Sequence, residues 1–338
     1  MLSHDPLSVA MAVAAVMTGQ PRDREAVQRF WSLRLRGSRS GGMSSHRNSP
    51  VLIAGPTASG KSALALELAE RCGGVVINAD SMQVYAELRI LTARPSAGEE
   101  DRAPHQLYGH VAASDAYSVA RWLEDVAAVL ADAAVDGRRP IIVGGTGLYF
   151  KALTDGLSPL PAVPAEVRAR WRETAQRVEP ESLHATLRER DPVMAERLPP
   201  SDVQRVTRAL EVVEATGRSL ADWQQVRGQP LVDPETADRW LVTRPRDELH
   251  RRCDRRFDLM IQAGALEEVR ALMQLGLSPD KPGLRALGVG ALAAHLEGRL
   301  SLEAAVVRAK AETRQYVKRQ ETWARRYMAD WKTAGSAL

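Results

Sequence analysis

The stretch Gly55-Pro56-Thr57-Ala58-Ser59-Gly60-Lys61-Ser62 decides the reading of the chain. It fits G-x-x-x-x-G-K-[ST], the pattern of a phosphate-binding loop. The apolar run Val51-Leu52-Ile53-Ala54 before it reads as a buried strand, and Ala63-Leu64-Ala65-Leu66-Glu67-Leu68-Ala69-Glu70 after it is a strong helix former. In that context the glycines let the backbone curl until its N–H groups point inward at an anion. The following helix adds its positive N-terminal end. Lys61 is placed to reach the terminal phosphate and the Ser62 hydroxyl to hold Mg²⁺, so a di- or triphosphate is the expected ligand.

Outward from the loop, strands alternate with helices. Val75-Val76-Ile77 is a second short strand, ending in Asn78-Ala79-Asp80-Ser81-Met82-Gln83-Val84-Tyr85. Residues 92–116 are turn-rich, and Tyr117 to Val135 carries apolar residues at helical spacing. Pro140-Ile141-Ile142-Val143 is a third strand, entering Gly144-Gly145-Thr146-Gly147-Leu148-Tyr149. This order predicts an α/β fold, a P-loop-type parallel sheet core with helices on both faces. From Ser158 to about Arg227 no strand is expected. Pro159, Pro161 and Pro164 mark the entry to helices over 165–178, 181–190 and 201–216. Strand character returns at Trp240-Leu241-Val242-Thr243, and helices are expected over 246–262, 264–275, 284–297 and 301–330. The expected organisation is an N-terminal extension at 1–49, the first part of the core at 50–157, a helical insertion at 158–228, and a return to the core with C-terminal helices at 229–338. The extension is expected to be disordered, with Met43 a natural start.

The chain of 338 residues is 44% hydrophobic and 26% charged, ordinary for a soluble globular protein. Lys plus Arg total 46 against 42 acidic residues, and six of the 46 are Lys, leaving 40 Arg. Arg makes planar, bidentate contacts with phosphate, which suits a nucleic-acid partner; an Arg-rich codon usage gives the same composition. Two cysteines, Cys72 and Cys253, form no metal or disulfide pattern, so a reducing, cytoplasmic setting is expected. The apolar run from Leu7 to Met17 is too short to span a bilayer, so no membrane partner is expected, and the protein is expected to act as a monomer.

The third strand ends in Gly144-Gly145 without the acid that motor-type NTPases use to help hold Mg²⁺, which argues against nucleotide hydrolysis. The second strand instead delivers Asp80 to the carboxyl edge of the sheet, where ligands bind in open α/β sheets. A carboxylate there can act as a general base on an acceptor in line with the phosphate ligand, or it can cap the next helix. Thr146 offers a hydroxyl at the same edge. Asp202 or Ser201 is a candidate N-cap for the helix that carries Arg205 and Arg208, which share a face. That face suits either structural salt bridges or RNA backbone contact. Arg251, Arg252, Arg255 and Arg256 cluster with Asp254 and need anions, from a polyphosphate or from neighbouring carboxylates. The helix over 301–330 carries Arg308, Lys310, Arg314, Lys318, Arg319, Arg325 and Arg326, a solvated face or one turned to phosphates.

Together these residues resemble the tRNA dimethylallyltransferase (tRNA isopentenyltransferase) family of the bacterial type, from about Val51 to Trp323. The motifs that carry the resemblance are GPTASGKS at 55–62, NADSMQVY at 78–85, APHQL at 103–107 and VGGTGLYFKAL at 143–153. DP at 191–192, SDVQRVTRALEV at 201–212, TG at 216–217 and TRQYVKRQETW at 313–323 continue it in the family's order. The resemblance implies transfer of the dimethylallyl group from dimethylallyl diphosphate to N6 of a tRNA adenosine, position 37, just 3′ of the anticodon, with Mg²⁺ as cofactor. It implies that Gly55 to Ser62 hold the donor diphosphate, not ATP. It further implies that Asp80 accepts the N6 proton, that Thr146 contacts the substrate RNA, and that Arg256 helps hold the diphosphate. Asp80, Ser81, Met82, Gln83, Thr146, Arg168, Gln204, Arg205, Val206, Thr207 and Arg208 match tRNA-contacting positions.

The sequence departs from the family pattern at Leu91-Thr92-Ala93-Arg94-Pro95, where Gly-Thr-Ala-Lys-Pro is usual, and at Gly288-Val289-Gly290, where Gly-Tyr-Lys/Arg is usual. A zinc-finger tail of the eukaryotic kind is not expected, in keeping with the bacterial type. Two rival readings share the loop: a P-loop small-molecule kinase, and an RNA-binding protein with a degenerate P-loop.

Overall fold

Val51–Ala54 forms β1, buried along its whole length because both faces of the strand are covered. Its side chains alternate: Val51 and Ile53 join one apolar cluster with helix Lys61–Cys72 (α1), while Leu52 and Ala54 join another on the opposite face. The computed structural model describes residues 49–226 and 228–334; the expected N-terminal extension lies almost entirely outside them. One unit holds the described residues up to Thr154 and from Leu231 onward, and the other is Asp155–Pro230.

In the first unit the chain runs from α1 to β2 (Val75–Asn78), a short helix α2 (Ala97–Glu100) and β3 (His105–Gln106). Then come α3 (Val119–Val135), β4 (Pro140–Gly144) and α4 (Gly147–Asp155). With β5 (Asp238–Val242) and β6 (Lys332–Ala334) from later in the chain, the six strands of the sheet lie in the order β3-β2-β4-β1-β5-β6, all parallel. β1 therefore sits between β4 and β5, neither of which follows it in sequence. That is the switch in strand order beside which open α/β sheets place their ligands.

In the second unit five helices, α5 (Ala165–Arg177), α6 (Pro180–Arg190), α7 (Pro192–Arg197), α8 (Val203–Thr216) and α9 (Leu220–Gln225), enclose their own apolar core around Trp171, Leu187, Val206 and Leu210. Buried Asp191 organises it, capping α7 through the Met194 N–H at 3.1 Å and accepting from the Ser219 hydroxyl. Buried His184 donates to the carbonyls of Ala195 and Leu198, a structural role. Asp202, not Ser201, caps α8, accepting from the Arg205 N–H at 3.3 Å.

The chain returns to the sheet as β5 (Asp238–Val242). It continues through α10 (Arg246–Gln262), α11 (Ala265–Gln274), a 3₁₀ turn (Pro282–Arg285), α12 (Val289–Leu296) and α13 (Leu302–Tyr327), and ends in β6 (Lys332–Ala334). Several short elements differ from the sequence reading. β3 and β6 are edge strands of two and three residues without an apolar alternation, paired to the sheet through their backbones, β6 also through Lys332, which binds Asp238 of β5 at 3.1 Å. α7 and α9 have six residues each, too few to display a helical period. The helix expected over 284–297 begins at Val289, because Gly288 at φ 87° breaks it. Leu91 and Val289, one residue from each stretch that departs from the family pattern, share one apolar cluster with Phe257 and Met260.

Candidate active site

The loop Gly55–Gly60 leaves β1 and turns back at two residues with left-handed backbone. Gly60, at φ 98°, is suited to that region, but Ala58, at φ 63°, is held there at a cost. The surrounding side chains supply the hold. Arg252 Nε donates to the Ala58 carbonyl and buried Arg244 Nε to the Ser59 carbonyl, each at 2.8 Å. Arg256 hydrogen-bonds the Thr57 hydroxyl. α1 begins at Lys61 without a side-chain cap, so the N–H groups of its first turn are left to a ligand.

A cavity of about 570 Å³ opens over the loop, between the carboxyl ends of the strands and α10, within the size range of small-ligand sites. Thr57, Ala58, Gly60, Lys61 and Ser62 line it, as do Asp80, Gln83 and Arg256. Gly55, Pro56 and Ser59 lie behind the loop and are buried; a Cβ on Gly55 would fall 2.6 Å from the Val242 carbonyl oxygen, so this glycine serves close packing. Four arginines of α10 line the wall, and their neighbour Asp254 turns away from them to bind Arg314 of α13 at 2.7 and 2.9 Å. Phosphate is the anion that this wall suits. Burial pushes the Lys61 ammonium down to about 8, with Asp80 opposing the shift and Arg256 adding to it. Burial also lowers the Arg256 guanidinium. A cavity that penalises its own cations in this way gains when an anion enters.

Asp80 is positioned by buried Asn78. The Asn78 amide donates to the carbonyls of Asp80 and Leu107, both at 3.0 Å, and its oxygen accepts the Asp80 N–H at 2.8 Å. The Trp122 indole in turn donates to the Asn78 carbonyl at 2.8 Å. Asp80 Oδ1 accepts the Met82 N–H at 3.0 Å, a local turn rather than a helix cap. Oδ2 lies toward Gly145, where a Cβ would approach it to 3.3 Å. The Thr146 hydroxyl accepts the Ser81 N–H at 2.9 Å and donates to the Ser81 hydroxyl at 3.3 Å. Burial, followed by the charge of Asp80, raises the Tyr108 and Tyr316 phenols and keeps both neutral. Gln83 ties Thr92 and Ala93 into the wall by donating to their carbonyls at 2.8 and 2.9 Å.

Arg168, Gln204, Arg205, Val206, Thr207 and Arg208 belong to the helical unit. Arg168, Gln204 and Arg205 are exposed. Val206 is fully buried and the Thr207 hydroxyl donates to the Val203 carbonyl, so these two side chains serve the unit's core. Arg208 pairs with buried Glu211 at 3.0 Å and Arg205 with Asp202 at 3.2 Å, the salt-bridge alternative of the sequence reading. Asn78, Arg244, Tyr316 and Gln320 received no role from the sequence. Three of them lie inside quoted motifs, but burial and partner, which define their roles, come only with the fold.

A phosphate-cradling loop, a carboxylate beside it and a wall of arginines define a P-loop α/β enzyme that acts on a diphosphate-bearing substrate. A family model described as IPP transferase matches residues 83–327 and one described as isopentenyl transferase matches residues 49–104. The chain belongs to the IPP transferase family. It is similar to the tRNA dimethylallyltransferase of Azorhizobium caulinodans, 54% identical over 281 residues, covering 83% of this chain and 90% of that one. The tRNA dimethylallyltransferase of Agrobacterium fabrum is 53% identical over 280 residues, covering 83% and 94%. Among solved structures, a full-length tRNA isopentenylpyrophosphate transferase from Bacillus halodurans superposes with a TM-score of 0.60 at 32% identity, covering 85% of this chain and 90% of that one. A eukaryotic dimethylallyltransferase acting on tRNA gives a TM-score of 0.72 at 28% identity, covering 85% and 74%.

Proposed function

We propose that this protein transfers the dimethylallyl group of dimethylallyl diphosphate to N6 of the tRNA adenosine at position 37, giving N6-dimethylallyladenosine and diphosphate. The observation that carries the reading is one cavity with Lys61, Arg252 and Arg256 around the P-loop and Asp80 on its wall. The donor's diphosphate lies against Thr57, Ala58 and Gly60 to Ser62, and its allylic carbon faces Asp80 and Thr146. The C–O bond of the donor breaks with its electron pair on the diphosphate, and the N6–C bond forms. The N6 proton passes to the Asp80 carboxylate, whose Oδ2 faces that side. Lys61, Arg256 and the N–H groups at the start of α1 stabilise the charge that grows on the leaving oxygens.

Mg²⁺ fits this donor set. Among the described residues no three His, Cys, Asp or Glu side chains converge, and the cavity offers the Ser62 hydroxyl, a hard oxygen. Mg²⁺ commonly keeps several waters and relies on substrate phosphates beyond one or two protein ligands. When bound, it offsets negative charge on the departing diphosphate.

The adenosine must leave its stack to reach Asp80, at a cost of roughly a few kcal/mol, which contacts to the RNA backbone offset. On α13, Arg308, Lys310 and Arg314 are paired with carboxylates, whereas Lys318, Arg319, Arg325 and Arg326 are exposed and meet no carboxylate among the described residues. That second half supports an RNA-facing role, as do exposed Arg168, Gln204 and Arg205. Among the described residues no helix is long and apolar enough to cross a membrane; action as a monomer in the cytoplasm is the simplest setting for a tRNA-modifying enzyme. Nucleoside analysis of tRNA from cells lacking the gene tests the reading. Loss of N6-dimethylallyladenosine and its derivatives is expected, and an unchanged nucleoside profile would contradict it.

A further inference from the structure

The two halves of the site, the diphosphate cradle after β1 and the Gly145-Thr146 turn after β4, are joined by one side chain from a distant element. Gln320 of α13 is 9% exposed. Its Oε1 accepts the Thr57 N–H at 2.9 Å and its Nε2 donates to the Gly145 carbonyl at 2.9 Å. Thr57 can offer this oxygen only a donor and Gly145 can offer this nitrogen only an acceptor, so the orientation of the amide is dictated by its partners. Neither a carboxylate nor an apolar side chain of the same length makes both bonds.

The anchorage at each end is close to the chemistry. Thr57 is held on its other two sides, with Arg256 on its hydroxyl and the Cys253 thiol 3.9 Å from its carbonyl oxygen. Its N–H is turned to α13 and committed to Gln320. At the other end, a Cβ on Gly145 would fall 2.2 Å from Gln320 Nε2 and 3.3 Å from Asp80 Oδ2. The Gln320 amide and the Asp80 carboxylate thus flank the same glycine. One turn earlier on the same helix, the Tyr316 phenol feels the charge of Asp80. Three residues later, Trp323 packs where a Cβ on Gly147 would fall 2.1 Å from its ring.

We propose that Gln320 is a positioning residue for the transfer reaction, fixing the spacing between the diphosphate cradle and the Asp80–Thr146 side that receives the acceptor. The inference rests on the dimethylallyl-transfer reading for its kinetic consequence, but not for its structural one. In-line transfer depends on the distance between donor carbon and acceptor nitrogen, and a misplacement of about 1 Å costs on the order of 10²-fold in rate. Gln320 touches neither group, so its loss falls on kcat rather than on the affinity of either substrate.

The test uses the full-length protein with Gln320→Met, which keeps the volume and removes both hydrogen bonds, and Gln320→Glu, which keeps the acceptor for Thr57 and removes the donor to Gly145. For Gln320→Met, kcat is expected to fall by about a hundredfold, the scale of such a misplacement. Binding of inorganic diphosphate and of unmodified tRNA, read by calorimetry, is expected to change by less than about threefold, as it should when an interaction acts only on the chemical step. Amide exchange at Thr57 is expected to quicken in Gln320→Met and to stay slow in Gln320→Glu. Near-normal kcat in either folded variant overturns the proposal, as does a loss confined to the KM of the donor. Were the wild-type protein to form no prenylated adenosine, the functional reading would fail by itself. Exchange at Thr57 would then still judge the bridge: unchanged exchange in Gln320→Met overturns it.

Discussion

Lys61 carries the site's most readable electrostatic signature. In the free protein burial holds its ammonium to about 8, and a bound diphosphate favours the charged form, raising that value. Above pH 8 donor binding must therefore take up a proton. Affinity for the donor is expected to fall as pH rises through 8, by up to about tenfold per pH unit. Calorimetry at pH 8.5 in two buffers of different ionisation heat reads the uptake directly; a flat affinity from pH 7 to 9 with no proton uptake would show that Lys61 does not meet the diphosphate. Lys61→Ala is expected to impair mainly use of the donor. Asp80→Ala is expected to leave tRNA binding largely intact while lowering turnover by about 10²-fold or more, the scale of general-base loss. Single-turnover kinetics with saturating substrates checks this, and near-normal turnover would remove Asp80 from the role of base.

At the scale of elements, the decisive contact is between the glycine turn after β4 and the face of α13 that carries Tyr316, Gln320 and Trp323. Gly147→Ala would drive a methyl to 2.1 Å from the Trp323 ring. It is expected to cost about 1–3 kcal/mol through overpacking and to lower turnover with it. Gly290 in α12 has nothing within 4 Å of its would-be Cβ and no positive φ, so Gly290→Ala is expected to stabilise the helix by about 0.5–1 kcal/mol. Thermal unfolding of the two variants should move in opposite directions; a shared direction would contradict the packing described here. This contact also marks how far the sequence could be read. The P-loop, the β1–α1 context and the delivery of Asp80 to the sheet edge were legible because they rest on local pattern and a two-residue or 3.6-residue period. Edge strands β3 and β6 were not, because backbone pairing needs no apolar alternation. Gln320 was visible as a letter in a motif, but its role is set by partners 263 and 175 residues away. The clustered arginines of α10 were legible as cations in need of anions. Only the fold shows that Asp254 serves α13 and that Arg252 and Arg256 grip the loop.

For the molecule as a whole, charge is distributed by function more than by sum. A net charge of +4 is slight, yet the exposed cations of the second half of α13 lie on one element without acidic partners among the described residues. If they meet tRNA phosphates, the slope of log affinity against log salt becomes shallower by about one for each cation removed. Lys318→Ala and Arg325→Ala are expected to show this with kcat unchanged at saturating tRNA, whereas slopes equal to that of the wild type would place the RNA elsewhere. The reading of the whole rests on a P-loop whose diphosphate is the leaving group rather than the group transferred. The most direct test incubates purified protein with unmodified tRNA, Mg²⁺ and either dimethylallyl diphosphate or ATP, followed by nucleoside analysis. Prenylated adenosine 3′ of the anticodon and released diphosphate are expected with the first donor and no product with the second; phosphorylation from ATP without prenylated adenosine would contradict the account.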